Sequence, residues 1–366
     1  MSLQLHWYLP TSGDGRDIVG WVHSSIATTE PRPADRAPDI EYLADVARAA
    51  ERLGYGAVLT PTGTWCEDAW VTTAALTRET RRLKFIVAFR PDAITPTLAA
   101  QMASTYQRMS RGRLLLNIVI GSDEEEQRRF GDWLSHDERY ARAGEFLTIL
   151  RGAWSGKPFS FSGEHYDVMG ATVGTPPDPV PQIFLGGASK PAIETAAEHA
   201  DVYLAWAEPP PALAKRISQV RESAERRGRT IQYGLRVHVV TRDTEEQAWT
   251  ETTRMLEAVD GLAITVAQER FRRSTSVGQK RMTALHGGRT DNLEVYPNLW
   301  AGFGLVRRHA GTAIVGSHQQ VADRIEEYHG LGIDHIILSG QPHLEEAHWF
   351  AEGVVPVLRE RGVEVT

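Results

Sequence analysis

The alternation of short apolar runs with longer segments of helical periodicity is the feature that most constrains the fold of this chain. Eight runs of apolar and β-branched residues predict strands, at residues 3–9, 57–60, 83–88, 114–120, 182–185, 202–205, 232–240 and 335–339. The segments between them predict helices, for instance at residues 40–53, 95–109, 138–154, 212–226 and 319–329. Repeated βα units build parallel sheets, so we expect an α/β fold: one (β/α)8 TIM barrel, with an open doubly wound sheet as the main alternative.

Three segments interrupt this alternation. Residues 13–38 follow the first strand and show no periodic spacing of apolar residues. Residues 258–308 begin with a helical pattern and then contain Ser, Gly, Asn and Pro residues that interrupt it. Loops that follow strands build the active-site face of a barrel, so both segments are predicted lids, with disordered or oligomer-contact loops as the alternative. Residues 158–168 alternate around a Ser-Gly turn and predict a small β excursion. No Pro-rich or Ser-rich linker divides the chain, which predicts a single domain over residues 1–366.

Composition excludes several classes of protein. The formal net charge of -7 gives no general attraction to nucleic acid or anionic lipid, so an anionic substrate needs a local cluster of arginines. The single cysteine, Cys66, cannot form an intrachain disulfide or a CxxC site, and the 13 histidines form no HExxH or similar pattern, so no catalytic metal is expected. There is no GxGxxG after the first strand and no GxxxxGK[ST]. Without a long apolar run or a signal-like start, we expect a cytoplasmic protein outside the membrane.

Two side chains on the seventh predicted strand are candidates for anion binding. Arg236 and His238 are two residues apart, so both point to the same face of the strand. A guanidinium is too costly to bury unpaired, so on an interior face Arg236 must meet an anion. The residues alone leave open whether that anion is a ligand or a core Glu or Asp.

Residues that follow other strands are further candidates at the same face. His343 follows the eighth strand in a Gly-Gln-Pro turn, where it can transfer protons or simply begin a helix. Trp206 ends the sixth strand and belongs either to a pocket wall or to the core. The turn at residues 186–189, Gly-Gly-Ala-Ser, opens a helix and can hold a phosphate, although an ordinary turn is equally consistent. For Cys66, after the second strand, an inert thiol is favoured over a reactive one.

Longer stretches resemble the bacterial-luciferase-like flavin monooxygenases and, within them, the two-component alkanesulfonate monooxygenases. They lie at residues 7–15, 61–70, 136–140 (HDERY), 234–240 (GLRVHVV), 275–285 (TSVGQKRMTAL), 297–306 (PNLWAGFGLV) and 339–347 (SGQPHLEEA). The resemblance covers nearly the whole chain, and several matches in the correct order are far more specific than any one of them.

This resemblance implies a barrel enzyme that takes reduced FMN (FMNH2) from a separate NAD(P)H-dependent flavin reductase and uses O2 as co-substrate. The implied reaction converts a sulfonated CH2 group of an organosulfonate to an aldehyde and sulfite. Members of the family are commonly dimeric or tetrameric, which implies a homo-oligomer.

The resemblance also implies roles for single residues. Arg236 and Arg307 match arginines that hold the sulfonate or the peroxyflavin, and His343 matches a histidine at the barrel mouth. The residues that match walls of the active site are His238, Trp206 and Cys66. The residues that match flavin-binding positions are Asn117, His136 and Tyr140 for the ring and tail, Gly187, Ala188 and Ser189 for the phosphate, and Thr60 beneath the ring.

The chain departs from the typical alkanesulfonate enzyme near the expected mouth of the barrel. Gln341 replaces a tyrosine, Ser12 replaces a histidine, and residues 16–35 form a longer segment. We therefore predict a larger or more hydroxylated substrate, with sulfoquinovose as the leading candidate, because Gln341 can donate and accept hydrogen bonds to sugar hydroxyls. The alternatives are a dehydrogenase on the same barrel that uses coenzyme F420 or a flavin, and a flavin-binding protein without catalysis.

Overall fold

The computed structural model describes residues 2–18, 35–121 and 123–366. Its strands are β1 (Gln4–Tyr8), β2 (Ala57–Thr60), β3 (Lys84–Phe89), β4 (Leu114–Ile118), β5 (Phe159–Ser162), β6 (Asp167–Ala171), β7 (Ile183–Gly186), β8 (Val202–Trp206), β9 (Gln232–Arg242), β10 (Glu294–Tyr296), β11 (Leu299–Trp300), β12 (Ala313–Ser317) and β13 (His335–Ser339). The helices are α1 (Ile40–Leu53), α2 (Ala69–Leu76), α3 (Pro96–Ser110), α4 (Glu124–Arg129), α5 (His136–Ala153), α6 (Lys190–His199), α7 (Pro210–Glu225), α8 (Glu245–Glu257), α9 (Gly261–Arg272), α10 (Val277–His286), α11 (His318–Gly330) and α12 (His343–Glu360), with a 3₁₀ helix at Gly302–Leu305.

Eight parallel strands close a barrel. Their order is β1, β2, β3, β4, β7, β8, β9 and β13, with β13 paired to β1. Each strand overlaps one of the eight strands predicted from the sequence, so the prediction of a TIM barrel is confirmed. The strands read as nearly continuous apolar runs because helices cover their outer face while side chains fill the interior.

The helices begin where the sequence offers capping side chains. Asp39 caps α1 by accepting from the N–H of Tyr42, and Ser135 with Glu138 forms a capping box at the start of α5. The five helices whose residue ranges were predicted from the sequence agree with α1, α3, α5, α7 and α11 to within two residues at each end. The predicted excursion at residues 158–168 is confirmed as the antiparallel pair of β5 and β6.

The segment at residues 258–308 is more regular than its sequence indicates. It holds α9, α10, β10, β11 and the 3₁₀ helix; Phe271 of α9, Trp300 of β11 and Phe303 of the 3₁₀ helix belong to a second hydrophobic cluster. The cluster also buries Ile18 completely, so the first loop and this insertion share one core. Strands β12, β11 and β10 extend the sheet from β9, away from the barrel.

The first loop is anchored at both ends of its described part. Asp14 and Arg36 exchange two backbone hydrogen bonds of 2.9 and 2.8 Å, which cross-link the two stems. Beyond Asp14, Asp17 pairs with Arg254 of α8 at 2.7 Å. Residues 19–34 lie outside the described residues, so the prediction that this loop is a lid stays a prediction.

Candidate active site

A cavity of about 560 Å³ opens at the carboxyl ends of the barrel strands. Its wall includes Tyr8 from the end of β1, Asn117 from β4 and Trp206 from the end of β8. In (β/α)8 barrels this face carries the catalytic residues, because the loops after the strands converge there. The cavity therefore lies where the barrel positions an active site, and most of the predicted site residues border it.

Two buried arginines border this cavity without a carboxylate partner. Arg236 donates hydrogen bonds of 2.8 Å to the carbonyl of Val237 and to Oγ of Ser339, and Arg307 donates one of 3.0 Å to the carbonyl of Ile18. Within the part of the chain that is described, neither forms an ion pair, and Nη2 of Arg307 meets no acceptor. Burial lowers the pKa of each guanidinium to about 10. An anionic ligand, rather than a described core carboxylate, would supply the missing charge.

The other arginines of the cavity wall are paired with acids. Among the described residues, seven arginines border the cavity: Arg90, Arg129, Arg216, Arg236, Arg270, Arg307 and Arg308. Five of them form ion pairs. Arg90 pairs with Glu126 and Arg129 with Glu125, each at 2.7 Å. Arg270 pairs with Asp123 at 3.1 Å, Arg308 pairs with the same Asp123, and Arg216 pairs with Glu208. The uncompensated positive charge is therefore concentrated at Arg236 and Arg307.

A chain of hydrogen bonds keeps His238 neutral beside these arginines. Its Nε2 lies 3.1 Å from the carbonyl of Ala310, which can only accept, so Nε2 carries the proton. Its Nδ1 then accepts from Oγ of Ser339 at 2.7 Å, and Ser339 in turn accepts from Arg236. Burial and the neighbouring arginines lower the pKa of His238 well below its usual range. The imidazole also stacks on Phe303 at 4.1 Å, so this side chain orients its neighbours instead of binding a proton at neutral pH.

Ser339 is a site residue that the sequence reasoning missed. It is the last residue of β13, completely buried, and it links Arg236 to His238. Its position at the carboxyl end of a barrel strand was the available signal.

His343 begins α12 at the edge of the cavity, as predicted. Its Nδ1 lies 2.8 Å from Oδ1 of Asp14, and its backbone N–H donates to Oδ2 of the same carboxylate at 2.7 Å. Asp14 belongs to the first loop, and the sequence reasoning did not single it out as a site residue. The first loop and the start of α12 thus meet at two hydrogen bonds between Asp14 and His343.

The far end of the cavity has the shape of a phosphate cradle. Gly187, Ala188 and Ser189 border it together with His136 and Tyr140. Ser189 caps α6, a ten-residue helix, by accepting from the N–H of Ala192, and Pro191 has no N–H, so the backbone donors that can face a ligand here belong to Lys190 and to the turn before it. Gly187 has φ of 140°, and a Cβ there would lie 2.5 Å from the hydroxyl of Tyr140, so only glycine fits. The donors and the helix terminus suit a phosphate group.

Three predicted site residues are not brought to the cavity wall. Thr60, Cys66 and Gln341 are absent from the residues that border it. Thr60 is completely buried, and its hydroxyl has no hydrogen-bond partner among the described residues. Burial raises the pKa of Cys66 to about 12, and its Sγ lies 3.6 Å from the carbonyl of Gly63, so it remains a thiol at neutral pH. These positions lie behind the wall residues rather than among them.

The insertion contributes its own residues to the cavity. Trp206 packs edge to face against His309 at 5.7 Å, and a Cβ on Gly278 of α10 would lie 3.0 Å from the indole ring. His309, Ser276 and Val277 all border the cavity. The sequence reasoning identified the segment but not these side chains, because none of them lies on a barrel strand.

Two negative findings apply to residues 2–18, 35–121 and 123–366. No group of three or more His, Cys, Asp and Glu side chains is arranged to hold a metal ion there. No helix of this part of the chain is both long and apolar enough to cross a membrane.

The closed barrel and its cationic cavity define the class of α/β-barrel proteins whose ligand site lies at the carboxyl ends of the strands. Within that class, residues 19–335 match the luciferase-like monooxygenases, and the chain belongs to this family.

Solved structures share the fold at low sequence identity. Riboflavin lyase (RcaE), with modified FMN and riboflavin, has a TM-score of 0.80 and 19% identity over 99% of this chain and 92% of that one. EDTA monooxygenase (EmoA) from Chelativorans sp. BNC1 has a TM-score of 0.77 and 20% identity over 99% and 95%. An F420-dependent secondary alcohol dehydrogenase has a TM-score of 0.70 and 17% identity over 98% and 100%. At these identities the likeness establishes the fold alone.

Proposed function

We propose that this protein is a flavin-dependent monooxygenase that cleaves the C–S bond of an organosulfonate. The observation that carries the proposal is the pair of buried arginines, Arg236 and Arg307, at a cavity wall without a described carboxylate partner. A sulfonate stays ionised at neutral pH and spreads one charge over three oxygens, which suits the planar donors of guanidinium groups. Membership of the luciferase-like monooxygenase family supports oxygen chemistry at this site.

We infer that reduced FMN binds with its phosphate at Gly187, Ala188 and Ser189. Gly187 lets the turn pack against Tyr140, where a Cβ would lie 2.5 Å from the hydroxyl, and the N–H groups of Lys190 and of the turn before it are the backbone donors at this end. The His136 ring lies at a tilt to the Tyr140 ring, with centroids 5.0 Å apart, and supports the tail, while Asn117 borders the space for the flavin ring. When bound, reduced FMN supplies the two electrons that activate O2. A separate NAD(P)H-dependent reductase would supply the reduced flavin.

The side chains then have distinct tasks. Arg236 and Arg307 neutralise the sulfonate so that an anionic oxidant can approach an anionic substrate. The sulfonated CH2 loses one proton and takes one atom of O2 to become an aldehyde, while the C–S bond breaks and its electron pair leaves with sulfite. The second oxygen atom leaves as water. We propose that residues 258–308 cover the cavity and exclude bulk water, in keeping with the packing of Gly278 against Trp206 and the position of Ser276 and Val277 on the cavity wall.

Among sulfonates, we propose sulfoquinovose as the favoured substrate. Gln341 and Ser12 distinguish this chain from the typical alkanesulfonate enzyme, and both side chains are buried. In the sequence, Gln341 is close to His343 and Ser12 is close to Tyr8, and both His343 and Tyr8 border the cavity. Gln341 does not border the cavity, but its side-chain oxygen has no hydrogen-bond partner among the described residues. We propose that a sugar hydroxyl reaches this oxygen when the substrate binds, because a hydroxyl is a donor of the kind it lacks.

Sulfite release from a panel of sulfonates tests this proposal. The protein is supplied with a flavin reductase, NADH, FMN and O2, and sulfite is measured with sulfoquinovose and with straight-chain alkanesulfonates of increasing length. We expect oxygen-dependent sulfite release with the highest kcat/KM for sulfoquinovose. A preference for long alkanesulfonates would reject the sugar substrate alone. No sulfite from any sulfonate, together with hydride transfer to coenzyme F420 without O2, would reject the monooxygenase proposal.

A further inference from the structure

We propose that Asp14 is a positioning residue that fixes the orientation and the tautomer of His343. The inference deepens the proposed function and rests on it, because it concerns how the same cavity presents its imidazole. Asp14 does not border the cavity, whereas His343 does, so the carboxylate acts through the histidine.

The Asp14 carboxylate collects four donors. Oδ1 accepts from Nδ1 of His343 at 2.8 Å and from the N–H of Gly15 at 2.9 Å. Oδ2 accepts from the N–H of His343 at 2.7 Å and from the hydroxyl of Tyr42. The side chain is completely buried, and a buried carboxylate with four donors is satisfied as the anion.

The charge state of Asp14 sets the tautomer of His343. Burial raises the pKa of Asp14, but the His343 charge and the hydrogen bonds from His343 and Tyr42 outweigh it and hold that pKa below its usual range. An ionised carboxylate can only accept, so Nδ1 of His343 must carry a proton. A neutral imidazole carries only one N–H proton. With that proton on Nδ1, Nε2 is unprotonated and can act as a base.

The His343 ring is also fixed from its other sides. The indole of Trp7 donates to the His343 carbonyl at 3.1 Å, so both backbone polar groups of the residue are bound. Tyr8 lies against the imidazole with ring centroids 5.4 Å apart, and the Arg236 guanidinium lies 4.8 Å from the Tyr8 ring. The imidazole thus points from Asp14 toward the arginines that are proposed to bind the sulfonate.

Asp14 connects this histidine to the stems of the first loop. Its backbone pairs with that of Arg36, whose guanidinium binds Glu345 of α12 and lies 3.3 Å from the hydroxyl of Tyr42. The two stems of the loop, α1 and the start of α12 therefore converge on one carboxylate. A displacement of the stem at Asp14 would move the imidazole with it.

A spectroscopic test needs no catalytic turnover. In protein labelled with ¹⁵N-histidine, the His343 signals are assigned by comparison with His343→Gln, and the tautomer of the neutral imidazole is read from the ¹⁵N chemical shifts of Nδ1 and Nε2. We expect Nδ1 to be protonated and Nε2 unprotonated in the wild type, and this preference to be lost in Asp14→Asn. The matched control is Asp17→Asn in the same loop, which breaks the contact with Arg254 and should leave the His343 signals unchanged.

A double-mutant cycle on kcat for sulfite release separates positioning from a direct role. We expect Asp14→Asn to lower kcat by about tenfold or more, since the His343 imidazole then loses the carboxylate that fixes its orientation and tautomer, and to have no further effect when combined with His343→Gln. Wild-type protein with Nδ1 unprotonated in the neutral imidazole would overturn the inference, as would an equal loss of kcat in both backgrounds. If no sulfonate is turned over, the proposed function fails and the spectra alone decide the role of Asp14.

Discussion

Replacing Arg307 with methionine should remove anion binding while leaving the fold about as stable as before. Burial lowers the pKa of Arg307 to about 10, which corresponds to roughly 3 kcal/mol against the charged form. In return, the guanidinium donates one hydrogen bond to a described residue, Ile18, of about 1.5–3 kcal/mol, and it lies 5.4 Å from the Phe303 ring, for about 0.5–2 kcal/mol. These contributions nearly cancel, so we expect the free energy of unfolding to change by less than about 2 kcal/mol.

Arg113→Met is the matched control, because Arg113 is equally buried but serves the fold. It donates four hydrogen bonds, to the carbonyls of Ser110, Leu83 and Thr77 and to the hydroxyl of Thr80, at 2.7–3.0 Å. Its removal leaves buried acceptors unsatisfied at about 1–3 kcal/mol each, so we expect a loss of more than about 3 kcal/mol.

The assay combines urea unfolding, followed by tryptophan fluorescence, with thermal unfolding in the presence of a sulfonate substrate. A ligand present at 100 times its Kd stabilises the native protein by about 2.7 kcal/mol, and this increment should vanish in Arg307→Met. The reasoning is refuted if Arg307→Met loses as much stability as Arg113→Met, or if it keeps both the ligand increment and near-normal sulfite release.

Three further predictions address the cofactor end, the pH dependence and the substrate. Gly187→Ala should weaken FMN binding by about tenfold or more, because its Cβ would lie 2.5 Å from the Tyr140 hydroxyl; flavin fluorescence titration measures this. The buried His335, whose pKa is lowered to about 4, is protonated more readily in the unfolded chain, so its contribution to stability is complete above about pH 6.5 and is lost as the pH falls toward 4. Urea unfolding at pH 7 and pH 5 should show this loss, of up to roughly 2 kcal/mol from this one group, and His335→Gln should reduce the slope. Gln341→Tyr should shift kcat/KM from sulfoquinovose toward plain alkanesulfonates.

Each of these predictions has a control and a contrary result. Gly228→Ala also places alanine at a positive φ, of 65°, but with no atom within 4 Å of the new Cβ, so it should leave FMN affinity unchanged. Equal affinities for Gly187→Ala and wild type would contradict the phosphate site. Identical pH slopes for wild type and His335→Gln would show that the loss arises elsewhere. An unaltered substrate ranking in Gln341→Tyr would remove Gln341 from specificity.

The barrel was predictable because parallel strands buried on both faces have a strong local signal. Residues 57–60 and 335–339 are short apolar runs between turn residues, and the structure has strands with these same bounds. The insertion was harder to predict. Strands β10 and β11 have only three and two residues, and α10 has apolar residues too scattered to show a periodic face, so tertiary packing around Phe303 decides their structure.

The candidate site was predictable in part, for a related reason. Arg236 and His238 share a strand, so their spacing alone places them together. Asp14 and Ser339 were missed as site residues because their partners, His343 for one and Arg236 for the other, are more than one hundred residues away in the chain. The contact of Asp14 with His343 comes from closure of the barrel, which places the first and last strands side by side, and that of Ser339 with Arg236 comes from the pairing of β13 with β9.

The most direct test of the central claim is a single-turnover measurement of sulfite with the reductase left out. Protein is loaded anaerobically with a limiting amount of reduced FMN and sulfoquinovose and then mixed with O2. The account predicts close to one sulfite for each reduced FMN that is oxidised, and none when O2 is withheld or when Arg307→Met replaces the wild type. Oxidation of the flavin without sulfite, or sulfite release without O2, would contradict it.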